Sequence, residues 1–418
     1  MVARRPEGLA ADAPLLVVDD TLAALGRLGA AARTRAAARV VAVTGSVGKT
    51  GTKDMLRAML AAQAPTHAAE GSFNNHIGAP LTLARLPRDA VFAVLELGMN
   101  HAGEIAPLSR MARPHVALIT TVEPVHIEHF PDEAAIADAK AEIFAGLEPG
   151  GVAVLNRDNR WFDRLAAAAG AAGARIESFG AAEAAGARLM SAELRGATTV
   201  VRAALDGRAM VFKIGAPGAH LAMNALGALA AARAVGAAGA LAALALAGWR
   251  APAGRGARWR VALGPEGADG ALLVLDESYN ANPASVGAAL SVLAATPVEH
   301  GIGRIARGRR IAALGDMLEL GAGEEAAHAA LAAHPAMAAV DLVYAVGPRM
   351  RALHEALPPE KRGGWFGDSE TCAARMRKTV DAGDVISVKG SKAMKMGVVI
   401  AALTAMGAAR DDAAGEDQ

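Results

Sequence analysis

The stretch "VVAVTGSVGKTGTKDML", Val40–Leu56, carries a β-branched apolar run into a glycine-rich turn, then Lys-Thr, then a helical pattern. Those residue types in that order can hold phosphate. Gly45 and Gly48 permit the dihedrals that turn successive backbone N–H groups toward an anion. The helix that follows adds the positive end of its dipole. Thr44, Gly45, Ser46, Val47, Gly48, Lys49, Thr50 and Gly51 therefore read as a cradle for ATP. Lys49 would bridge the β- and γ-phosphates, and Thr50 would offer its hydroxyl to Mg²⁺. The longer loop form G-x-x-x-x-G-K-[ST] would place glycine at position 43. Val43 stands there, which leaves the shorter G-x-x-G-K-T.

Further polar clusters follow apolar runs. "SFNNHIGAP" sets Asn74, Asn75 and His76 in a turn. "VLELGMNHAGEI" ends its run with Glu96 and continues through Asn100, His101 and Glu104. A carboxylate at a buried strand end beside a phosphate loop suits Mg²⁺, which takes oxygen ligands. "TTVEPVHIEHF" brings His126 past another strand end, with His129 reading as a surface residue. Lys140 lies in the helical "AAIADAKAEIFAGL", flanked by Asp138 and Glu142 and striped by Ile136, Ile143, Phe144 and Leu147. From pattern alone it is an exposed lysine.

The elements that must position these groups alternate. Val40–Val43, Val91–Leu95, Val116–Thr120 and Val152–Leu155 read as strands, and Thr52–Ala62 and Asp132–Leu147 as helices. "TTVVRAAL" and "RAMVFKI" read as an antiparallel hairpin. "WRAPAGRGARWRV" breaks the pattern with Pro and Gly and marks a boundary. Beyond it Leu272–Leu275, Arg310–Leu314, Leu342–Val346 and Val385–Val388 form a second strand series. The expected class is α/β: a central parallel-sheet P-loop ATPase domain over 38–252 and a Rossmann-like α/β domain over 253–410. Residues 1–37 read as the remnant or linker of a preceding domain, and 411–418 as a disordered tail. Ala225–Trp249 is nearly uncharged, but Arg233, Gly227, Gly236 and Gly239 interrupt it. Two short buried helices are expected there rather than a membrane span.

At 418 residues the chain is too long for one ordinary core, and a net charge of +1 with 3% aromatics gives no footprint for nucleic acid. The single cysteine, Cys372, suits a reducing cytoplasm. "MVARRPEGLAADAP" has no apolar segment of a signal peptide.

In order, "TGSVGKTGTK", "NNHIGAP", "LELGMNHAGEI", "KAEIFAGL", "LDESYNANPAS", "LGDMLELG" and "VKGSKAMKM" closely resemble the ATP-dependent Mur ligases of peptidoglycan synthesis. The resemblance runs from about Leu15 to about Gly407, and "YNANP" and "GDMLELG" point to the branch that joins D-alanyl-D-alanine to a UDP-N-acetylmuramoyl tripeptide. It implies two steps: ATP phosphorylates the tripeptide carboxylate, then the dipeptide amine displaces phosphate. It also implies a cytoplasmic monomer with these small-molecule substrates. By the same resemblance, Glu96 and Thr50 hold one Mg²⁺, a second lies near His126, and Lys140 becomes a carbamate. Asn282 faces the adenine, Glu277 the ribose and Arg255 the phosphates. Asn74, Asn75 and His101 serve the substrate, while Lys389, Gly390 and Ser391 meet the incoming dipeptide. "GAHLAMN" keeps His220 and Asn224 of a family stretch but has Leu221 where an Asn is usual. A family domain that grips the uridine-linked substrate is expected to be missing ahead of "VVDDTLAAL". Asn282 and Lys389 lie beyond the Pro252–Arg258 hinge and ATP before it, so closure on binding is expected. A sister amino-acid or polyglutamate ligase, a P-loop switch, and an ATP-binding protein without ligase activity are the competing readings.

Overall fold

The computed structural model describes residues 1–5, 7–10 and 12–412, built on two largely parallel sheets. The first sheet has nine strands: β1 (Arg39–Thr44), β2 (Thr66–Ala68), β3 (Phe92–Glu96), β4 (Val116–Ile119), β5 (Val152–Asn156), β6 (Arg175–Gly180), β7 (Ala187–Arg195), β8 (Thr198–Leu205) and β9 (Arg208–Ile214). Their order is β2-β3-β1-β4-β5-β6-β7-β8-β9. It is parallel through β7, and then β7, β8 and β9 run antiparallel. Its helices are α1 (Thr21–Arg35), α2 (Lys49–Ala61), α3 (Gly78–Ala84), α4 (Ile105–Ala112), α5 (Glu133–Ala141), α6 (Phe162–Ala171), α7 (Ala219–Ala234) and α8 (Gly239–Ala245).

Strand β1 shows why its sequence is continuously apolar. Val41 and Val43 enter the core shared with α2 and α7, while Val40 and Ala42 enter the core shared with α3, α4 and α5. A strand buried on both faces cannot alternate polar and apolar residues.

The second sheet holds β10 (Ala257–Ala262), β11 (Ala271–Glu277), β12 (Arg310–Gly315), β13 (Leu342–Val346), β14 (Arg362–Phe366), β15 (Val385–Lys389) and β16 (Ala408–Asp411), in the order β14-β13-β12-β15-β11-β10-β16. Helices α9 (Pro283–Ala295), α10 (Glu324–Ala330) and α11 (Met350–Ala356) flank it, as do α12 (Ser369–Thr379) and α13 (Gly397–Thr404).

Four sequence expectations differ from the structure. Residues 1–37 are not merely a linker. Within them α1 packs closely on α3, where a Cβ on Gly29 would meet Pro80 O at 2.9 Å. The guanidinium of buried Arg33 donates to Ala112 O and Arg113 O. The 411–418 tail is ordered at its start: β16 pairs antiparallel with β10, and Asp412 accepts from Arg258 Nε at 2.9 Å. Pairing covers an edge that β10 would otherwise expose. Residues 413–418 lie outside the described residues. The helix expected over Asp132–Leu147 breaks into α5 and a 3₁₀ turn, Glu142–Gly146. Gly146 there sits against Ser109, where a Cβ would meet Ser109 O at 2.1 Å. The Ala-rich segment holds one 16-residue helix, α7, and one short one, α8. Gly227 does not stop α7; it gives room to the Phe179 ring, 2.9 Å from where its Cβ would stand. Among the described residues no helix is long and apolar enough to cross a membrane.

Candidate active site

Three neighbouring strands deliver the phosphate loop and its partners to one sheet end. β1 lies between β3 and β4, with Val43 level with Glu96 and Thr44 with Ile119. The turn after β1 therefore falls between the ends of its neighbours, where open parallel sheets bind ligands.

The loop is built for close approach. Gly45 has φ 147°, and a Cβ there would lie 1.9 Å from Thr120 Oγ1. Gly48, at φ 83°, is the left-handed cap of α2, and its Cβ would meet the Asn224 amide at 2.8 Å. Thr120 Oγ1 donates to Val47 O at 2.6 Å. Ser46 Oγ donates to Glu123 O at 2.9 Å and accepts from Glu123 N at 2.8 Å. The loop is thus pinned from the segment after β4, where Thr121 O also accepts from Ser46 N at 2.8 Å. Thr44 Oγ1 is buried without a partner among the described residues, and Gly51, already in the helix, has nothing within 4 Å of its Cβ position.

Glu96 is 1% exposed. Its Oε2 accepts from Thr50 Oγ1 at 2.8 Å, and its Oε1 accepts from Asn74 Nδ2 at 2.7 Å. One buried carboxylate thus joins the loop hydroxyl to the "SFNNHIGAP" turn. Hydroxyl and carboxylate oxygens fit Mg²⁺, and glycines whose Cβ positions are filled fit a phosphate cradle. Lys49 Nζ donates to Gly45 O at 2.7 Å and is 3.4 Å from Ser46 O, folded onto its own loop. Burial lowers its pKa, Glu96 opposes, and Arg255 adds to the lowering.

Lys140, on the last turn of α5, is 3% exposed, and its Nζ has no hydrogen bond or ion pair with a described residue. The exposed lysine of the sequence pattern is instead a buried amine, its pKa held well below 10.5 by burial and then by repulsion from Lys49. His126, at φ 61°, meets Glu319 of the second lobe, itself at φ 63°. Burial pulls the His126 pKa down, Glu319 opposes, and Lys49 and Lys140 reinforce it.

Residues expected at the site but placed differently form two groups. Asn75 commits Oδ1 to the N–H groups of Ile77 and Gly78 at the start of α3. His101 is exposed, paired with Glu104 at 3.1 Å, and its ring lies 4.7 Å from that of His129. In the second lobe, Lys389 and Ser391 are each 4% exposed. Lys389 Nζ donates to Asn280 O at 2.9 Å and sits 3.7 Å from Glu277, its neighbour across β11 and β15. Ser391 Oγ accepts from Leu318 N at 2.9 Å and reaches Ala281 O at 3.4 Å. These two side chains tie the "YNANP" and "GDMLELG" turns together. Asn282 caps α9, its Oδ1 accepting from Ser285 N at 2.9 Å. Arg255 lies 4.0 Å above the Tyr279 ring, and the Tyr279 hydroxyl meets that of Ser72 in the first lobe. His220 is pulled down to about 4 by burial and then by Lys389, so it is neutral.

Residues 43–232 match the Mur ligase middle domain, and residues 260–392 the Mur ligase, glutamate ligase domain. Over 395 residues the chain is 35% identical to the UDP-N-acetylmuramoyl-tripeptide--D-alanyl-D-alanine ligase of Escherichia coli strain K12, covering 94% of this chain and 82% of that protein.

The chain belongs to the Mur ligase family.

The Bacillus subtilis ligase of the same description is 32% identical, with 92% and 80% covered. The crystal structure of MurF from Acinetobacter baumannii superposes with a TM-score of 0.81 at 30% identity, over 97% of this chain and 84% of that one. A MurF ligase from Thermotoga maritima, in complex with ADP, shares the fold with a TM-score of 0.76 at 22% identity, over 97% and 88%. Within this Mur ligase fold, sequence reasoning missed Thr120, Lys53, Asp276 and Glu142. Asp276 accepts from Gly254 N and Ser278 N and so shapes the hinge. Glu142 accepts from the N–H groups of Ile105 and Ala106 at the head of α4. Each reaches main chain distant in sequence, which carries no local motif.

Proposed function

We propose that this chain is an ATP-dependent ligase joining D-alanyl-D-alanine to UDP-N-acetylmuramoyl tripeptide. The observation that carries the reading is the Lys49–Thr50–Glu96 grouping at adjacent strand ends, in a chain 35% identical to such a ligase over 94% of its length. A carboxylate is a poor electrophile. Its oxygen attacks the γ-phosphorus of ATP, ADP leaves, and the acyl phosphate that forms has phosphate as leaving group. The dipeptide amine then attacks the acyl carbon, and phosphate departs with the C–O electron pair.

The protein's part is positioning and charge neutralisation. The loop N–H groups and the head of α2 receive the phosphates. Lys49 exchanges the carbonyls of Gly45 and Ser46 for phosphate oxygens. Thr50 and Glu96 would hold Mg²⁺, which offsets the negative charge of the triphosphate when bound. Burial and the neighbouring Lys49 lower the Lys140 pKa and so favour the neutral amine, the form that adds CO₂. The resulting carbamate would give His126 an anionic oxygen neighbour for a second ion. Asn74 orients Glu96, and Arg255, stacked on Tyr279, brings a cation from the hinge. The test is ADP release by the full chain. The reading expects release only with both the UDP-linked tripeptide and D-alanyl-D-alanine present. ADP release indifferent to both would leave an ATPase and refute the ligase.

A further inference from the structure

One turn of α2 beyond Lys49, Lys53 is fully buried. Its Nζ donates to Ala69 O at 2.8 Å and Gly71 O at 2.6 Å, and Asp54 Oδ1 lies at 3.2 Å. An ammonium has three N–H donors; two of them meet these carbonyls, and the Asp54 carboxylate lies beside it as counter-charge. Removing such a buried charge strands its acceptors, so α2 and the 69–71 backbone hold each other.

The clamped segment leads directly to the carboxylate at the site. Asn74 O accepts from Gly98 N at 2.9 Å, and Asn74 Nδ2 donates to Glu96, which accepts in turn from Thr50. Thr50 and Lys53 are neighbours on α2 at i, i+3 spacing. The contacts therefore close a ring: Lys53, the 69–74 backbone, Asn74, Glu96, Thr50 and back to α2. Midway round it, Ser72 reaches Tyr279 of the second lobe.

We propose that Lys53 is a positioning residue for Glu96. It fixes the 69–74 segment so that Asn74 holds one carboxylate oxygen and leaves the other facing Thr50. This rests on the reading that Thr50 and Glu96 hold the divalent ion. Among the described residues the Lys53 side chain makes no hydrogen bond to the phosphate loop or to Glu96 itself, so we take its effect to travel through Asn74.

The test uses the full chain with Mn²⁺ and AMP-PNP, reading Mn²⁺ affinity by electron paramagnetic resonance. Hydrogen exchange across residues 70–76 is read in the metal-free protein. Lys53→Met and Asn74→Ala are each expected to weaken Mn²⁺ binding about 10-fold or more, the size seen when a group orienting a metal ligand is lost. The double variant should bind no more weakly than the worse single one, because both cut the same ring. Metal-free Lys53→Met should exchange faster over 70–76. Lys53→Gln, which keeps a donor for one carbonyl, is run beside it so that a folded variant is in hand. Wild-type affinity in the Lys53 variants, or losses that multiply in the double variant, would overturn the inference. A wild-type chain that binds no Mn²⁺ with AMP-PNP would overturn the functional reading beneath it.

Discussion

Replacing Lys140 by Met should make the metal-free protein more stable while destroying its activity. Lys140 is a buried residue of α5, and Met retains most of the apolar volume of its stem. What Met removes is an amine that is 3% exposed and has no partner among the described residues. An unpartnered buried polar group costs about 1–3 kcal/mol by mutational measure. At about 2–4 °C per kcal/mol for a domain of this size, the variant should melt several degrees higher in CO₂-free buffer at pH 8. The pH dependence follows from the lowered pKa. Between its lowered folded value and 10.5 the unfolded chain binds a proton at Lys140 that the folded chain does not, so wild-type stability rises with pH across that window. The wild type should therefore gain on the variant as pH rises from about 8 to about 9.5. Calorimetry at both pH values checks this. Bicarbonate with Mg²⁺ should raise the wild-type melting temperature and leave the variant unmoved. A variant that melts at or below wild type at pH 8, or parallel pH profiles for the two proteins, would refute the buried-neutral-amine argument.

Lys49→Ala and Glu96→Gln should each cut the ADP-forming rate by about 10²–10³ or more, since each removes charge stabilisation around the transferred phosphoryl group; a coupled ADP assay decides. Gly45→Ala should bind AMP-PNP at least tenfold more weakly by calorimetric titration, because its Cβ meets Thr120 Oγ1 at 1.9 Å in a left-handed backbone region. Gly51→Ala, in open space inside α2, should instead raise stability by about 0.5–1 kcal/mol in denaturant titration. Cys372, on the buried face of α12 with its thiol pushed up to about 12 by burial and then by Asp368, should resist a disulfide reagent at pH 8 and react once per chain in denaturant.

Much of this site was legible because its chemistry is local. The phosphate loop needs glycine where φ is positive, a Lys-Thr pair and a helix start, all within "TGSVGKT". Glu96 was legible because four apolar residues before it announce a buried strand end. The two strand series and the β8–β9 hairpin could be read for the same reason, from β-branched runs and turn residues. Lys140 was not legible from pattern. It sits within an apolar stripe, yet a lysine on a helix is ordinarily solvated, and only tertiary packing buries it. The same limit hid Lys53, whose carbonyl partners lie 16 and 18 residues away. It also hid the contacts that Lys389 and Ser391 make with Glu277, Asn280 and Leu318. The edge strand β16 carries alanines and charges that read as a tail, and its strand form comes from β10 alone.

The most direct test of the central claim follows oxygen. Tripeptide carboxylate labelled with ¹⁸O, turned over by the full chain with ATP and D-alanyl-D-alanine, should transfer one labelled oxygen into each phosphate released. Phosphate free of label, with ligated product accumulating, would contradict carboxylate phosphorylation at the Gly45–Thr50 loop.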